Sequence, residues 1–442
     1  MKNLRYKNII IATILSVSFA PITAQHILTK TEAVALALEN NFDIRTANNN
    51  VTIAENNARL MNSGYLPSVT GTGSANFSFT DVENTLQSGD VQSAEGVQTK
   101  RYNASMGLSY TLFDGFGRAY NYQKLKDTYQ LSELQARLII ENSLLNIFTA
   151  YYEVARLTQN IRTQRRSLDI SGERLIRAKY SSEYGQNTQL DLLNAEVDYN
   201  NDSISYLTIL QELENQKRNL NLLIGRDVQT KFMVDTTITY TQGLHIATLL
   251  EEAKATNINI LQEQVLLINA QHDQRIANTA SIPKIGLNVA YNYSINNFGA
   301  TSFFDKQNST GATLGASLTW NVFDGGLTKT RKQNTLILMQ NQQLNLERTQ
   351  LETQRNVSNA WTVYQTALFV LQAEKKNLET NKRNFNRTQE QYTLGQVTSI
   401  EFRQAQLNYL NASLNYNQAK YSAKVAELAL LQLSGGLMQA EF

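Results

Sequence analysis

The 442-residue sequence predicts a mixed fold, a membrane β-barrel joined to a long α-helical coiled-coil barrel, from an internally duplicated chain. Three observations predict it. First, Leu112-Phe113-Asp114-Gly115 and Val322-Phe323-Asp324-Gly325 each end an alternating apolar run and open a long helical pattern, 210 residues apart. Self-similarity at a spacing near half the chain marks a repeat. Second, the helical patterns hold heptad spacing over lengths no compact globule accommodates. Third, the alternating runs carry apolar side chains on one parity and small polar ones on the other, as strands with lipid on one side and water on the other require.

Composition narrows the class. The chain is 18% charged, with formal net charge +2, no Cys, 21 Gly and 3 Pro. Near-neutral charge without a basic run argues against nucleic acid as a partner. The absence of Cys excludes cysteine acylation and a disulfide framework. Lys2, Arg5 and Lys7, then the apolar run Ile9 to Ala20, then Ile22-Thr23-Ala24 predict a signal peptide over 1–24. The run is shorter than the ~20 residues that span a bilayer as a helix. No later segment is a continuous apolar 18-mer, so a membrane-spanning part must be a closed β-barrel.

The first repeat, 25–225, opens with a helical pattern from Thr29 to about Ser63, which Leu66-Pro67 stops. Proline cannot donate into a helix and pushes its predecessor out of the α region. The second repeat, 244–436, opens with Ile246 to Ala280, stopped by Ile282-Pro283. A β-hairpin follows each proline, 66–113 and 282–323, with polar loops expected at about 81–100 and 296–309. In the first, Val69, Phe77 and Phe79 oppose Thr70, Thr72 and Ser78. In the second, Leu287, Val289 and Tyr291 oppose Gly286, Asn288 and Asn292. Asp114 and Asp324 are placed to cap the next helix, with Gly115 and Gly325 bending the backbone. These residues, with Pro67 and Pro283, shape a junction and catalyse nothing.

Long helices are expected over 115–180 and 326–391. Leu134, Leu138, Leu145, Phe148, Tyr152 and Ala155 keep 4/3 spacing around Glu141, as do Val357, Trp361, Tyr364, Leu368 and Leu371. At ~1.5 Å per residue each rod is about 95 Å long. Each reverses at a tip, Gly185-x-x-Thr188-x-x-Asp191 and Gly395-x-x-Thr398-x-x-Glu401. Glycine suits the left-handed residue closing one helix, and threonine with an acid three residues later resembles a capping box starting the next. The return helices, 188–224 and 398–433, flank a connecting segment, 226–243, with a short β-like stretch at 236–241; 437–442 is a tail.

Four strands per chain cannot close a barrel, and an open edge does not survive in lipid. Two copies would nearly fill their own interior, whereas three give a water-filled lumen, which the small inward residues favour. A homotrimer with a twelve-stranded barrel follows.

The duplicated order of helix, Leu/Ile-Pro, hairpin, Phe-Asp-Gly, long helix, Gly-x-x-Thr-x-x-acid tip and return helix resembles the TolC family of outer-membrane efflux proteins across the mature chain. The resemblance implies a channel-tunnel in the cell outer membrane, extending into the periplasm. It also implies a periplasmic adaptor (membrane fusion) protein and an inner-membrane pump of the resistance-nodulation-division or ABC type as partners. The cargo it implies is small molecules, such as drugs and toxic compounds, or proteins. It places Asp191, Tyr392 and Glu401 at a constricted tip and makes the turns at Gly185, Thr188, Gly395 and Thr398 the adaptor docking surface. Val397 stands where the family can hold a basic residue, Gln404 where it can hold an acid, and Ser182 where the second repeat has Tyr392.

For Asp191 and Glu401, capping alone competes with a lumenal role, and for Tyr392 packing competes with gating. His26, His245 and His272 lack metal-ligand spacing, so no metal and no cofactor are expected. No nucleophile elbow accompanies the Ser, His and Asp residues, so no enzyme activity is expected. Two other function classes account for part of the chain. A passive porin leaves the rods unexplained, and a secreted coiled-coil structural protein leaves the strands unexplained.

Overall fold

A computed structural model describes residues 26–185, 188–299 and 302–439. The expected signal peptide and the last three residues of the tail lie outside them. The short strand β1 (Ile27–Leu28) precedes helices α1 (Lys30–Asn40) and α2 (Phe42–Asn57), then strands β2 (Ser68–Thr85) and β3 (Val91–Phe113). The rod α3 (Gly117–Glu183) returns as α4 (Gln189–Leu223), and β4 (Met233–Val234) lies in the connector. The second half repeats the plan with α5 (Ile246–Thr256), α6 (Ile258–Thr279), β5 (Lys284–Asn297), β6 (Lys306–Thr319), α7 (Leu327–Thr393) and α8 (Ser399–Ser434). Among the described residues no helix is long and apolar enough to cross a membrane.

One antiparallel sheet has the order β2-β3-β5-β6, leaving β2 and β6 as free edges. Its register aligns Val69 with Leu108, Leu108 with Val289, and Val289 with Leu314. One residue along, Thr70, Gly107, Ala290 and Thr313 align in the same way. Because side chains alternate across a strand, one face is a continuous apolar band and the other a continuous field of small polar residues.

The hairpins differ from expectation. The stretch 81–100 is strand except for 86–90, with a bulge between Thr80 and Val82 that restores pairing. Polar side chains hid it from an alternation test because it projects past β5 and β6, where neither face needs to be apolar. In the second hairpin, β6 ends at Thr319, opposite Lys284, rather than reaching 323. Pro283 precedes Lys284 and has no amide to extend the ladder. Trp320 instead turns its indole N–H to the Ser281 carbonyl at 3.1 Å.

Helices α3 and α7 each have 67 residues, about 100 Å at helical rise. They start at 117 and 327, later than 115 and 326, because the chain first passes through two consecutive left-handed residues. These are Gly115 (φ 70°) with Phe116 (φ 70°), and Gly325 (φ 68°) with Gly326 (φ 92°). Phe116 and Gly326, not the aspartates, occupy the N-cap position. Asp114 and Asp324 nonetheless serve the helix starts from two residues upstream. Their carboxylates accept the Arg118 and Thr328 amides, each at 2.9 Å, satisfying donors the helix leaves orphaned.

At Gly115 a β-carbon would sit 2.9 Å from Ile282 Cδ1, whereas at Gly325 it would meet open space. Gly115→Ala is therefore expected to destabilise by about 1–3 kcal/mol through left-handed strain and the Ile282 clash together. Gly325→Ala carries the backbone cost alone. Thermal unfolding midpoints of the two variants check this; a larger loss for Gly325→Ala would contradict it.

The main core lies midway along the rods. Phe148, Tyr151, Tyr152, Val154 and Ala155 of α3 are buried against Leu28, Ala33, Leu220, Phe232 and Leu428. A second cluster gathers Val357 and Tyr364 of α7 with Leu249, Ala253 and Leu430. Glu141, inside the heptad run of α3, is buried and accepts from Arg137 Nε at 3.1 Å. Burial pushes its carboxyl up, against the pull of Arg137.

The connector wraps this level. β4 pairs in parallel with β1, whereas 236–241, expected to be β-like, forms no strand and is held by side chains. Tyr240 donates to the Lys420 carbonyl at 2.7 Å, and the Thr236 carbonyl accepts from Lys420 Nζ at 3.0 Å and Tyr421 at 3.1 Å. These bonds satisfy the backbone without a ladder.

Candidate functional site

The candidate site is the end of the rods away from the sheet, where α3 turns into α4 and α7 into α8. Gly395 (φ 74°) closes α7 by donating to the Tyr392 carbonyl at 3.1 Å, while Gln396 donates to Gln391 at 2.9 Å. This pair of bonds is a Schellman closure. At the other tip Gly185 (φ 70°) donates to the Ser182 carbonyl at 3.1 Å. Gln186 and Asn187 of that turn lie outside the described residues.

Both following helices start with a full capping box. Thr188 Oγ1 accepts the Asp191 amide at 3.3 Å, and Asp191 Oδ2 accepts the Thr188 amide at 3.3 Å. Thr398 Oγ1 accepts the Glu401 amide at 3.2 Å, and Glu401 Oε2 accepts the Thr398 amide at 2.8 Å and its hydroxyl at 2.9 Å. Glutamate's extra methylene lets it reach back further, so its closure is tighter than that of aspartate. These bonds, backbone first and hydroxyl second, hold the Glu401 carboxyl below its ordinary value. Its contribution to the helix start is complete above the usual carboxylate range and is lost as pH falls through the depressed value.

Tyr392 lies flat on Phe402 of α8, ring centroids 4.6 Å apart and 2° from parallel. Phe385 stacks on Phe402 at 5.7 Å and on Tyr409 at 5.3 Å, extending a ladder of rings up the α7–α8 seam. From the other hairpin Arg177 places its guanidinium 5.0 Å from the Tyr392 ring and donates to the Thr393 carbonyl at 3.2 Å. A cleft lined by Arg177, Asp191, Tyr392, Gly395, Val397 and Thr398 brings the two tips together. Gly185 and Glu401 are not in its lining.

Above the tip, a buried polar network joins three helices. Arg403 of α8 grips Asp202 of α4 with two bonds, 2.8 and 2.9 Å, and its Nε lies 3.4 Å from Asp198. Arg174 of α3 pairs with the same Asp198 and donates to the Ser399 carbonyl at 3.4 Å. Gln406 donates to the Ser167 carbonyl and hydroxyl at 2.9 and 3.0 Å. Burial alone would lower the Arg403 guanidinium; its bond to Asp202 and the charges of Asp202 and Asp198 outweigh this and raise it. Arg174, Arg177, Asp198, Asp202 and Arg403 were not among the residues the sequence singled out. The available signal was a charged residue at a seam position, as at Arg403 beside the apolar Phe402 and Ala405.

Comparison with known proteins places this geometry. A family model described as outer membrane efflux protein matches residues 33–226 and 249–436. The outer membrane efflux protein BepC of Brucella suis biovar 1 (strain 1330) is 20% identical over 435 residues, covering 97% of this chain and 90% of BepC. The CmeC outer membrane channel of Campylobacter jejuni superimposes with a TM-score of 0.76 at 18% identity, over 92% of this chain and 86% of CmeC. The outer membrane protein VceC of Vibrio cholerae does so with a TM-score of 0.72 at 17% identity, over 92% of this chain and 96% of VceC. The two matched segments together span most of the chain. The chain therefore belongs to the outer membrane efflux protein family, the TolC-like outer-membrane channels with a helical tunnel in the periplasm.

Proposed function

We propose that three copies of this chain close a twelve-stranded barrel in the outer membrane, continuous with a periplasmic α-barrel. Through this tube small toxic molecules or proteins leave the cell. The observation that carries the reading is the sheet register. It lines up apolar side chains on one face and Thr, Ser, Asn and Gly on the other, with free edges at β2 and β6. A free edge in lipid would strand a row of amides and carbonyls, so another chain must cover it. Three four-stranded sheets make a barrel wide enough for water.

In this reading the chain accepts cargo from a periplasmic adaptor and an inner-membrane pump of the resistance-nodulation-division or ABC type. The turns at Gly185, Thr188, Gly395 and Thr398 receive the adaptor. The Asp191, Tyr392 and Glu401 level forms the constriction. The Arg177 contact with Tyr392 supports a constricted tip, because it ties one hairpin to the other at the narrow end. Catalysis has no part in the proposal.

The test is to extract the native protein from the outer-membrane fraction, size it in detergent, and ask whether its deletion sensitises cells to toxic compounds. A trimer and sensitised cells are expected; a soluble monomer overturns the reading. For Glu401 the capping box is visible and the lumenal role is the proposal. Single-channel recording of Glu401→Ala is expected to show reduced cation preference; unchanged selectivity and conductance would leave capping as its whole role.

A further inference from the structure

Three tiers of the protomer end on the same two sides. The sheet runs β2-β3-β5-β6. Just below it, α2 packs on α3, α3 on α6, and α6 on α7; lower down, α4 packs on α3, α3 on α8, and α8 on α7. One side of the protomer is thus always β6 or α7, and the other always an element of the first repeat. Rotating a second copy into place sets its α7 beside α4.

The facing surfaces of that lower seam are chemically unlike. On α4, Leu190, Leu193, Val197, Ile204 and Leu207 follow heptad spacing and are all more than half exposed. Between 188 and 216 this helix carries no Lys or Arg, and Glu196 is exposed. On α7 the same level is net basic: Lys375, Lys376, Lys382, Arg383 and Arg387 are all exposed, against exposed Glu379 and Glu390 and half-buried Glu374. The only ion pair α7 makes among the described residues is Arg348 with Glu352, far above them. Higher on α7, by contrast, Ile337, Leu344 and Leu351 form an exposed apolar row at seven-residue intervals.

We propose that α4's uncovered seam is closed near the tip by the lysine and arginine side chains of α7 from a second copy. Their methylene stems lie over the leucines and their charges reach Glu196. Long cationic side chains cover apolar surface in this way while keeping the head group in water. Heights agree: Glu196 lies seven residues above the start of α4 at Gln189, about 10 Å, and Arg387 six residues above the end of α7 at Thr393, about 9 Å. The seam between copies is apolar high on the tube and ionic at its tip. Exposed ion pairs are weak and screened by salt, so the tip end is the part of the ring that separates first. The inference rests on the ring-closing reading above.

The Cys-free chain permits a direct test. Glu196→Cys with Arg387→Cys is expected to give a covalent trimer with a short bifunctional maleimide, in one treatment of the intact membrane protein. Glu212→Cys with Arg387→Cys, offset by about 25 Å in height, is expected to give none. Glu196→Lys and Arg387→Glu should each lower the trimer dissociation temperature, and combining them should restore it. A protein that sizes as a trimer but crosslinks only through position 212, or not at all, overturns this seam and leaves the trimer standing. A protein that sizes as a monomer overturns both.

Discussion

Arg403→Ala is expected to destabilise the folded protein by about 3–5 kcal/mol, the cost of stranding a buried carboxylate. Asp202 is 4% exposed and Arg403 9%, so water cannot replace the lost guanidinium. Asp198 would keep Arg174, but Asp202 would lose both of its charged bonds. The loss falls on the contact between the two hairpins, since Arg403 is on α8 and Asp202 on α4. The variant channel should therefore also conduct more at rest. The paired change Arg403→Met with Asp202→Leu separates charge from packing. Replacing both members of a buried pair by apolar groups is often neutral, so this variant should recover most of the stability. Denaturant unfolding and single-channel recording check the two parts. An Arg403→Ala protein as stable as the parent would show that the network is solvated and carries nothing.

Lys424→Met is expected to cost about as much, about 3–5 kcal/mol, at the middle of the tube. Lys424 Nζ lies 2.8 Å from Glu427 Oε1, with the two side chains 2% and 0% exposed. The same oxygen accepts the Thr241 amide at 3.2 Å and hydroxyl at 2.8 Å. Tyr152, Tyr240 and Tyr364 surround the carboxylate. Burial first and the Glu427 charge second push their phenols up, that of Tyr364 to about 12, so all three remain protonated. Without Lys424 the carboxylate keeps only neutral donors, and the hold of α8 on Thr241 loosens while the bonds of Tyr240 and Thr236 to α8 remain. Faster tryptic cleavage after the exposed Lys231 should accompany the lower unfolding midpoint. Adding Glu427→Gln removes the stranded charge while the amide oxygen still accepts from Thr241, so the double variant should regain most of the loss. Equal cleavage rates for parent and Lys424→Met would refute the anchoring role.

The duplicated plan was legible because each of its parts is a local signal. Pro283 follows the end of α6 at Thr279 closely, since it lacks an amide, whereas the opening helical pattern of the first repeat breaks at Asn41 and ends at Asn57, with a 3-10 turn, Leu60–Asn62, before Pro67. Glycine with a positive φ is needed where the chain leaves Phe113 and Phe323 for a helix. The sheet faces were readable because a strand's side chains alternate whatever its partners are, and the register only aligned faces already written into each strand. The capping boxes at Thr188 and Thr398 were readable for the same reason, as each spans only three residues.

What escaped the sequence depends on residues distant along the chain. Asp202 and Arg403 are 201 positions apart, and neither has a local pattern that names its partner. Arg177 finds the ring of Tyr392 only because α3 and α7 have equal length and end at the same level. The polar stretch 81–100 became strand because it had a partner strand to pair with, not because of its alternation.

The sequence by itself determined the repeat, the two strand faces, the rods and the turns at both ends, because each follows from backbone sterics and side-chain period within a few residues. Only the tertiary structure decided which charges are buried, which helix each one holds, and where the connector is anchored. Those outcomes are set by which distant side chains share one desolvated space, where an unpaired charge costs more than any local preference can offset.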